Sequence, residues 1–220
     1  MSDDDHELRS FGRRRGRKPS ARQAALLRDR LPCLAFDTAA PRQASRTTWL
    51  EIGFGGGEHL LWQARHNPSV ALVGCEPYED GVVKVLSAIA ADGLSNVQIH
   101  MGDARELLRA IEPASIDRMF ILFPDPWPKR KHAKRRLVNQ ALLALLARVM
   151  KSGAELRIAT DVADYARTML EAFACEPQFS WNAEGPPDWR TRPSDWPETR
   201  YEAKAAAAGR RRYYFRFLRR

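Results

Sequence analysis

Cysteine is scarce in this chain of 220 residues, and long apolar runs are missing. The three cysteines, Cys33, Cys75 and Cys175, lie far apart and form no Cys-x-x-Cys pair, and the five histidines show no ligand spacing. This pattern predicts reduced thiols and argues against a disulfide framework or a metal site. No apolar stretch reaches the roughly 18 residues of a membrane helix, and the N-terminus has no apolar core of a secretion signal. We therefore expect a cytoplasmic protein that uses no metal.

Acidic residues are outnumbered by basic ones, 27 against 36, which gives a net charge of +9. Three blocks, Arg9–Arg30, Lys129–Arg136 and Arg210–Arg220, hold 21 of the 36 basic residues. Such clustering favours contact with a nucleic-acid backbone, although solvated helix faces and a solubilising tail are the alternative. Residues 1–20 are polar and charged and are predicted to form a basic, flexible N-terminal arm. Residues 21–220 are predicted to form a single domain.

Strand-like and helix-like segments alternate from Thr47 onward. The predicted strands are Thr47–Ile52, Val70–Cys75, Asn96–His100, Ile116–Phe123 and Glu155–Ala159. The predicted helices are Ser20–Leu31, Glu58–Arg65, Glu79–Ala91, Ala104–Ala110, Leu137–Met150 and Val162–Phe173. A short strand at Phe179–Trp181, a loop that extends to Asp195 and a final strand at Arg211–Phe217 complete the chain. The alternation predicts an α/β fold with a mainly parallel sheet and helices on both faces.

A glycine-rich turn, Gly53-Phe-Gly-Gly-Gly57, follows the first strand and opens the first helix. The dinucleotide fingerprint requires a glycine where this chain has Glu58, whose carboxylate would repel a pyrophosphate, so a nicotinamide dehydrogenase is disfavoured. Glu51, two residues before the first glycine, suits a ligand with an amino-acid ammonium group. S-adenosylmethionine (SAM) is such a ligand. We expect Gly53 and Gly55 at its methionine part and Glu51 at its ammonium, directly or through water.

Two further acids end the next two predicted strands. Glu76 directly follows the second predicted strand, about twenty residues after the glycine turn. A carboxylate there can accept hydrogen bonds from both ribose hydroxyls. Asp103 follows the third strand and is expected to contact the adenine amino group, with Ala104 supplying a backbone N–H. The alternative is that Glu76 and Asp103 are helix N-caps.

The segment Phe123-Pro-Asp-Pro-Trp-Pro128 follows the fourth predicted strand. Its prolines exclude an ordinary helix or central strand, so Asp125 and Trp127 should stand on a rigid loop at the carboxyl end of a strand. Ligands bind there in open α/β sheets. Trp127 is expected either to stack on a base or to pack within the loop. The cations that follow indicate a polyanionic ligand, and those expected to hold phosphates are Lys129, Lys134, Arg135 and Arg136.

These motifs resemble those of the bacterial tRNA (guanine-N7-)-methyltransferase family. The resemblance covers most of the chain, and its quoted segments are Arg9-Ser-Phe-Gly-Arg-Arg, Glu51-Ile-Gly-Phe-Gly, Gly74-x-Glu76-Pro, Phe123-Pro-Asp-Pro-Trp-x-Lys129, Lys134-Arg-Arg, Ala159-Thr-Asp161 and Thr199-Arg-Tyr-Glu202. It implies a Rossmann-like, SAM-dependent methyltransferase fold with a seven-stranded sheet. It also implies methyl transfer to N7 of a guanine in the variable loop of tRNA. No membrane and no obligate protein partner are expected.

The resemblance also implies roles for individual residues. It places SAM contacts at Glu51, Glu76, Asp103 and Asp125, and gives Asp125 the catalytic role. The residues that it assigns to the substrate are Lys129, Arg135, Asp161, Thr199, Arg200, Tyr201 and Glu202. The chain departs from the family pattern at Pro128 and in Ala203–Gly209, where relatives commonly have a charged, glycine-bearing turn.

Two other functions fit parts of the pattern. The first is a SAM-dependent methyltransferase that acts on another RNA or DNA site. Amino-group methyltransferases of DNA often carry an Asp/Asn-Pro-Pro-Tyr/Trp box, whereas Asp125 here is followed by a single proline and then Trp127. The second is a non-catalytic RNA-binding module with a vestigial glycine turn. The acids at three successive strand ends argue against this alternative.

Overall fold

The structure is a computed structural model that describes Gly16, residues 19–38 and residues 46–220. The predicted N-terminal arm, residues 1–20, lies outside the described residues except at three positions. Within the described ranges, no helix is both long and apolar enough to cross a membrane.

Seven strands form one sheet in the order β3-β2-β1-β4-β5-β7-β6. Their bounds are Thr48–Ile52 (β1), Ala71–Cys75 (β2), Val97–His100 (β3), Ile116–Leu122 (β4), Met150–Thr160 (β5), Phe179–Trp181 (β6) and Tyr213–Arg219 (β7). The pairs β1–β2, β2–β3 and β4–β5 are parallel, whereas β7 runs antiparallel to both β5 and β6. The predicted mainly parallel sheet is therefore confirmed.

Among the described residues, two helices precede β1 and the others occupy the connections between strands. They are Ala21–Ala25 (α1), Leu31–Leu34 (α2), Glu58–His66 (α3), Glu79–Asp92 (α4), Ala104–Ala110 (α5), Gln140–Val149 (α6), Ala163–Ala174 (α7), Pro187–Arg190 (α8) and Arg200–Ala207 (α9). A π-helical segment, Leu26–Arg30, joins α1 to α2, and a 3₁₀ turn spans Arg130–Arg135. The predicted basic helix therefore starts after its N-cap Ser20 and continues to Leu34.

The chain divides into two compact units. The first ends at Ile111 and the second comprises Glu112–Arg220. In the first unit all five residues of β2 are buried, so both faces of that strand are covered. In the second, the rings of Phe173 and Phe217 stack with centroids 3.6 Å apart, and Phe179 meets Phe173 edge-on at 5.5 Å. These rings join α7 to β6 and β7.

Two predictions about the second unit were wrong. The helix α6 spans Gln140–Val149 rather than Leu137–Met150, and β5 begins at Met150, five residues earlier than expected. Met150 pairs with Ile116 and Glu155 with Arg118, so the strand carries an irregularity that absorbs the intervening residues. Gly153, at φ 77°, allows this irregularity because glycine adopts left-handed backbone without a Cβ penalty.

The helices α8 and α9 lie where no helix was predicted. Thr199 and Glu202 close a capping box at the start of α9, because each side chain accepts a hydrogen bond from the other's backbone N–H. The alanines that follow have the highest helix propensity of all residues. The departure from the family pattern after Glu202 is thus a helix, followed by Gly209 at φ 65°.

Asn96, the buried residue before β3, connects the end of α3 to the sheet through hydrogen bonds of its side chain. Its Nδ2 lies 3.1 Å from the carbonyl oxygens of Ala64, Asn67 and Val70. The Ala64 carbonyl belongs to the last turn of α3, where helices leave acceptors without intrahelical donors. The two N–H groups of one side-chain amide are thus shared among three carbonyl oxygens.

Replacing Asn96 with alanine should lower the free energy of unfolding by about 1–3 kcal/mol, because buried carbonyls lose their donor. Urea denaturation measures the change. The matched control is Gln98→Ala on the exposed side of β3, which should stay within about 0.5 kcal/mol. Equal stabilities of the two variants would contradict the role assigned to Asn96.

Candidate functional site

The glycine turn after β1 needs its glycines for two physical reasons. Gly53 and Gly57 take φ values of 75° and 80°, the left-handed region that side chains disfavour. A Cβ on Gly57 would come within 2.2 Å of the Val85 side chain, and one on Gly81 within 2.2 Å of the Gly55 carbonyl oxygen. Helix α4 therefore packs directly on the turn.

Glu76 holds this turn in place. Its carboxylate accepts hydrogen bonds from the Gly55 N–H at 2.7 Å and the Tyr78 N–H at 2.9 Å. The N-cap position of α4 is occupied by Tyr78, so the N-cap alternative does not describe Glu76. Both carboxylate oxygens of Glu76 therefore hold a backbone donor of the protein.

Asp103, in contrast, is the N-cap of α5. Its Oδ1 accepts from the Arg105 backbone N–H at 2.8 Å, and its Oδ2 pairs with the Arg105 guanidinium at 2.8 Å. The N-cap alternative is thus correct for this residue. Ala104, the proposed backbone donor, is the first residue of α5 and is buried.

Glu51 is buried within a chain of polar side chains that the sequence analysis did not foresee. Asn67 Nδ2 donates to Gln63 Oε1 at 3.0 Å, which turns the Gln63 Nε2 toward His59 Nε2 at 3.1 Å. His59 Nε2 must therefore accept, and its Nδ1–H donates to Glu51 Oε2 at 2.7 Å. The spacing of His59 and Gln63, four residues apart on α3, is the sequence signal for this contact.

In the second unit, the loop of residues 123–128 carries backbone strain. Phe123 and Trp127 have φ values of 51° and 41°, which bulky residues rarely adopt and which often mark functional sites. The Phe123 N–H donates to the Ala159 carbonyl at 2.8 Å and extends the parallel pairing of β4 and β5. Asp125 and Asp161 thus follow neighbouring parallel strands at the same edge. Asp125 is exposed, while Asp161 pairs with Arg210 at 2.8 Å.

Trp127 packs against the 3₁₀ turn that follows it. Its ring meets His132 edge-on at 5.9 Å, and the Arg135 guanidinium lies 5.0 Å from the ring centroid. These contacts agree with packing beside the loop, and stacking on a base stays a prediction.

The expectation that Arg136 holds phosphates is wrong, because this side chain is buried and points inward. Its Nε donates to the Pro126 carbonyl at 3.0 Å, while its Nη atoms donate to Thr168 at 3.1 Å and Asp164 at 2.5 Å. Through its hydrogen bond and charge, Arg136 lowers the pKa of Asp164. Arg136 therefore anchors the proline-rich loop to α7. The cations Lys129 and Lys134 are exposed.

The segment Thr199–Glu202 serves two purposes. Thr199 and Glu202 are buried in the capping box of α9, and Glu202 also accepts from the Tyr214 hydroxyl at 2.8 Å. Arg200 and Tyr201 are exposed, with 52% of the Tyr201 surface accessible. Of these four predicted substrate residues, Arg200 and Tyr201 are accessible to a large ligand. Thr199 and Glu202 are buried and cap the helix.

Comparison with known proteins gives a consistent set of relatives. The family model described as "Putative methyltransferase" matches residues 45–215. The chain is 44% identical to the tRNA (guanine-N(7)-)-methyltransferase of Rhodospirillum rubrum, over 97% of this chain and 89% of that protein. The protein of the same name from Ruegeria pomeroyi is 51% identical over 79% of this chain and 73% of its own length.

Among solved structures, the 16S rRNA methyltransferase KamB resembles this chain with a TM-score of 0.56 and 16% identity. The match covers 79% of this chain and 88% of KamB. Likeness at this identity shows the fold alone, and the predicted Rossmann-like α/β class is confirmed.

Arg136 and Lys134 should respond differently to substitution. We expect Arg136→Ala to lower the free energy of unfolding by about 1–3 kcal/mol, since it removes the donors to the partly buried Pro126 carbonyl and to Thr168. Lys134→Ala removes an exposed cation and should stay within about 0.5 kcal/mol. Urea denaturation of both variants measures the two changes in the free energy of unfolding. If Arg136→Ala is as stable as Lys134→Ala, the anchoring role is refuted.

Proposed function

Because the chain belongs to the family of bacterial tRNA (guanine-N(7)-)-methyltransferases, we propose that it transfers the methyl group of SAM to N7 of a guanine in the variable loop of tRNA. Asp125 carries this proposal. It is an exposed acid between two prolines, on a strained loop at the carboxyl end of a parallel strand. Ligands bind at such positions in open α/β sheets.

The residues of the first unit fit the chemistry of SAM. Left-handed Gly53 has open space where a Cβ would project, with no atom within 4 Å, so ligand atoms can approach its backbone. We propose that Gly53 and Gly55 contact the methionine part and that Glu51 faces its ammonium. Glu76 would hold the ribose hydroxyls, and Asp103 with Ala104 the adenine. SAM supplies a methyl group on a positively charged sulfur.

The reaction places few demands on proton transfer. Guanine N7 has an in-plane lone pair and is unprotonated at neutral pH, so no general base is needed to create the nucleophile, in contrast to hydroxyl nucleophiles. The chain's task is to align the reacting atoms. Positive charge develops on the guanine ring, and a carboxylate such as Asp125 or Asp161 is then more favourably placed. Either acid can also accept from the guanine N1–H and N2–H groups.

Cations that follow the proline-rich loop would hold the tRNA backbone. We propose phosphate contacts for Lys129, Lys134 and Arg135, with Arg200 and Tyr201 at the edge of the guanine pocket. The basic arm, residues 1–20, is proposed to add further phosphate contacts. Binding should then weaken steeply with salt, with a logarithmic slope of about −0.9 per duplex phosphate contact.

The direct test incubates the protein with methyl-labelled SAM and unmodified bulk tRNA, followed by nucleoside analysis. Label in 7-methylguanosine supports the proposal. Label in another nucleoside, or no incorporation at all, rejects it.

Asp125→Asn should reduce the rate of methyl transfer to tRNA by about 100-fold or more, the scale for removing one positioned electrostatic group. The variant keeps the side-chain size and should stay folded because Asp125 is exposed. The control is Glu171→Gln, which neutralises another exposed acid of the second unit. Turnover and thermal melting are measured together. A stable Asp125→Asn protein with near wild-type turnover would remove Asp125 from the site.

Glu76→Ala should weaken SAM binding by about 1–3 kcal/mol, because the ribose loses a charged acceptor and the Gly55 N–H loses its partner. Calorimetry with SAM measures the affinity. Glu112→Gln, an exposed acid, serves as the control and should bind SAM as the wild type does. Unaltered SAM affinity in a folded Glu76→Ala protein would exclude Glu76 from the cofactor site.

A further inference from the structure

Helix α3 carries two polar side chains, His59 and Gln63, that the proposed reaction does not use. Both are buried, with 2% of each residue exposed. Burying a polar side chain costs free energy unless its groups are hydrogen-bonded. Apolar residues at two buried helix positions would stabilise the fold without that requirement. What distinguishes this pair is the set of hydrogen bonds that it makes.

These hydrogen bonds fix the charge of His59. The Asn67 amide donates to Gln63 Oε1 and to the Gln63 carbonyl, each at 3.0 Å. The amide nitrogen of Gln63 therefore faces His59, and His59 Nε2 accepts from it at 3.1 Å. An imidazole that accepts at one nitrogen and donates at the other is neutral. His59 thus reaches Glu51, 2.7 Å away, as an uncharged donor.

The charge of Glu51 is consequently not cancelled by His59. In the part of the chain that the structure describes, no Lys or Arg side chain forms an ion pair with Glu51. The His59 Nδ1–H bonds to Oε2, which leaves Oε1 as the oxygen for a further donor. A buried carboxylate attracts a cation more strongly than an exposed one, because water screens its charge less. An ammonium group combines the positive charge and the N–H donors that such an oxygen accepts.

Close packing of α3 on the sheet keeps these side chains in place. Gly74 is the β2 residue paired with Glu51, and a Cβ on Gly74 would come within 2.6 Å of the Leu60 side chain. The helix therefore approaches β2 more closely than a larger residue at this position would allow. In the glycine turn, Gly53 has no atom within 4 Å of the place where a Cβ would project. The Glu51 carboxylate is thus held from α3, two residues before backbone that a ligand can approach.

We infer that His59 and Gln63 are positioning residues for the cofactor, which hold Glu51 as an oriented anion for the ammonium group of SAM. The inference rests on the proposed function, which supplies SAM and its ammonium at Glu51. The neutral His59 directs the carboxylate without competing for its charge, as a protonated histidine would. The pair would make the chain selective for adenosine cofactors that carry a free ammonium group. Apolar residues at these two positions could not provide that selectivity.

The first test compares two substitutions of similar size at position 59. His59→Leu removes the donor to Glu51, whereas His59→Asn keeps an amide N–H close to the position of Nδ1. Calorimetry measures the Kd of S-adenosylhomocysteine, which is SAM without its transferred methyl group. The second ligand is the deamino analogue, in which hydrogen replaces the ammonium. His59→Leu should raise the Kd of S-adenosylhomocysteine about 10- to 100-fold, the scale of one hydrogen bond to a charged group.

The deamino analogue separates positioning from a general effect on the fold. Its Kd should change by less than about threefold in His59→Leu, because it has no ammonium for Glu51 to bind. His59→Asn should recover most of the affinity for S-adenosylhomocysteine. Equal losses for the two ligands in His59→Leu would overturn the inference. Equal Kd values of S-adenosylhomocysteine in His59→Leu and His59→Asn would do the same.

Gln63→Glu tests the neutrality of His59 with a residue of the same size. A carboxylate at position 63 accepts a proton-bearing Nε2 and favours a protonated His59, which then pairs with Glu51 and competes with the ligand ammonium. The Kd of S-adenosylhomocysteine should therefore rise, although added negative charge alone would lower it. The control is Gln98→Glu, which adds the same charge at an exposed position of β3. A Kd for Gln63→Glu at or below that of the control would reject the positioning role.

Nitrogen NMR of the His59 imidazole measures its protonation directly. At neutral pH the wild type should carry a proton on Nδ1 alone, and Gln63→Glu should carry protons on both ring nitrogens. A doubly protonated ring in the wild type would contradict the inference. These measurements need no tRNA. A wild type that binds S-adenosylhomocysteine but methylates no tRNA would therefore refute the proposed function separately.

Discussion

The hydrogen bond from Arg136 to the Pro126 carbonyl is the constraint on which the proposed site depends. Pro124, Pro126 and Pro128 remove three backbone donors from the loop, so the loop cannot secure itself by regular backbone pairing. It is held instead by the Phe123 N–H at one end and by the buried Arg136 from the side. Because Arg136 is itself bonded to α7, the position of Asp125 is set by the core of the second unit.

The carboxylates of the first unit are fixed in a comparable way. Glu51 accepts from His59, Glu76 from the glycine turn and Asp103 from Arg105. Each acid is oriented by a protein donor before any ligand arrives, which reduces the reorganisation that binding would otherwise cost. Methyl transfer to a ready nucleophile depends mainly on alignment, so rigidity of this kind is the property that the proposed reaction needs.

Patterns of burial and turn chemistry predicted most of the fold. The strands β1–β4 lie within one residue of their predicted bounds, and α5 matches its prediction, because apolar periodicity and strand-end glycines are local signals. The early start of β5 was missed because Met150 also fits the end of an apolar helix. The helix α9 was missed although the Thr199–Glu202 capping box and the alanines were visible.

For the candidate site, the positions of the residues along the chain were easier to predict from sequence than their contacts. The acids at strand ends and the proline-rich loop were found from sequence because their positions are local. The inward turn of Arg136 and the contact between His59 and Glu51 depend on tertiary packing, which spacing alone does not reveal. The run of cations looks uniform in the sequence, yet the structure buries Arg136, half-buries Arg135 and exposes Lys134.

The account depends above all on N7 of guanine as the methyl acceptor. The most direct measurement compares two transcripts of the same tRNA, one with guanosine and one with 7-deazaguanosine, in which a C–H group replaces N7. The account predicts similar affinity for both transcripts and methyl incorporation only into the first. Equal incorporation into the 7-deazaguanosine transcript would contradict it.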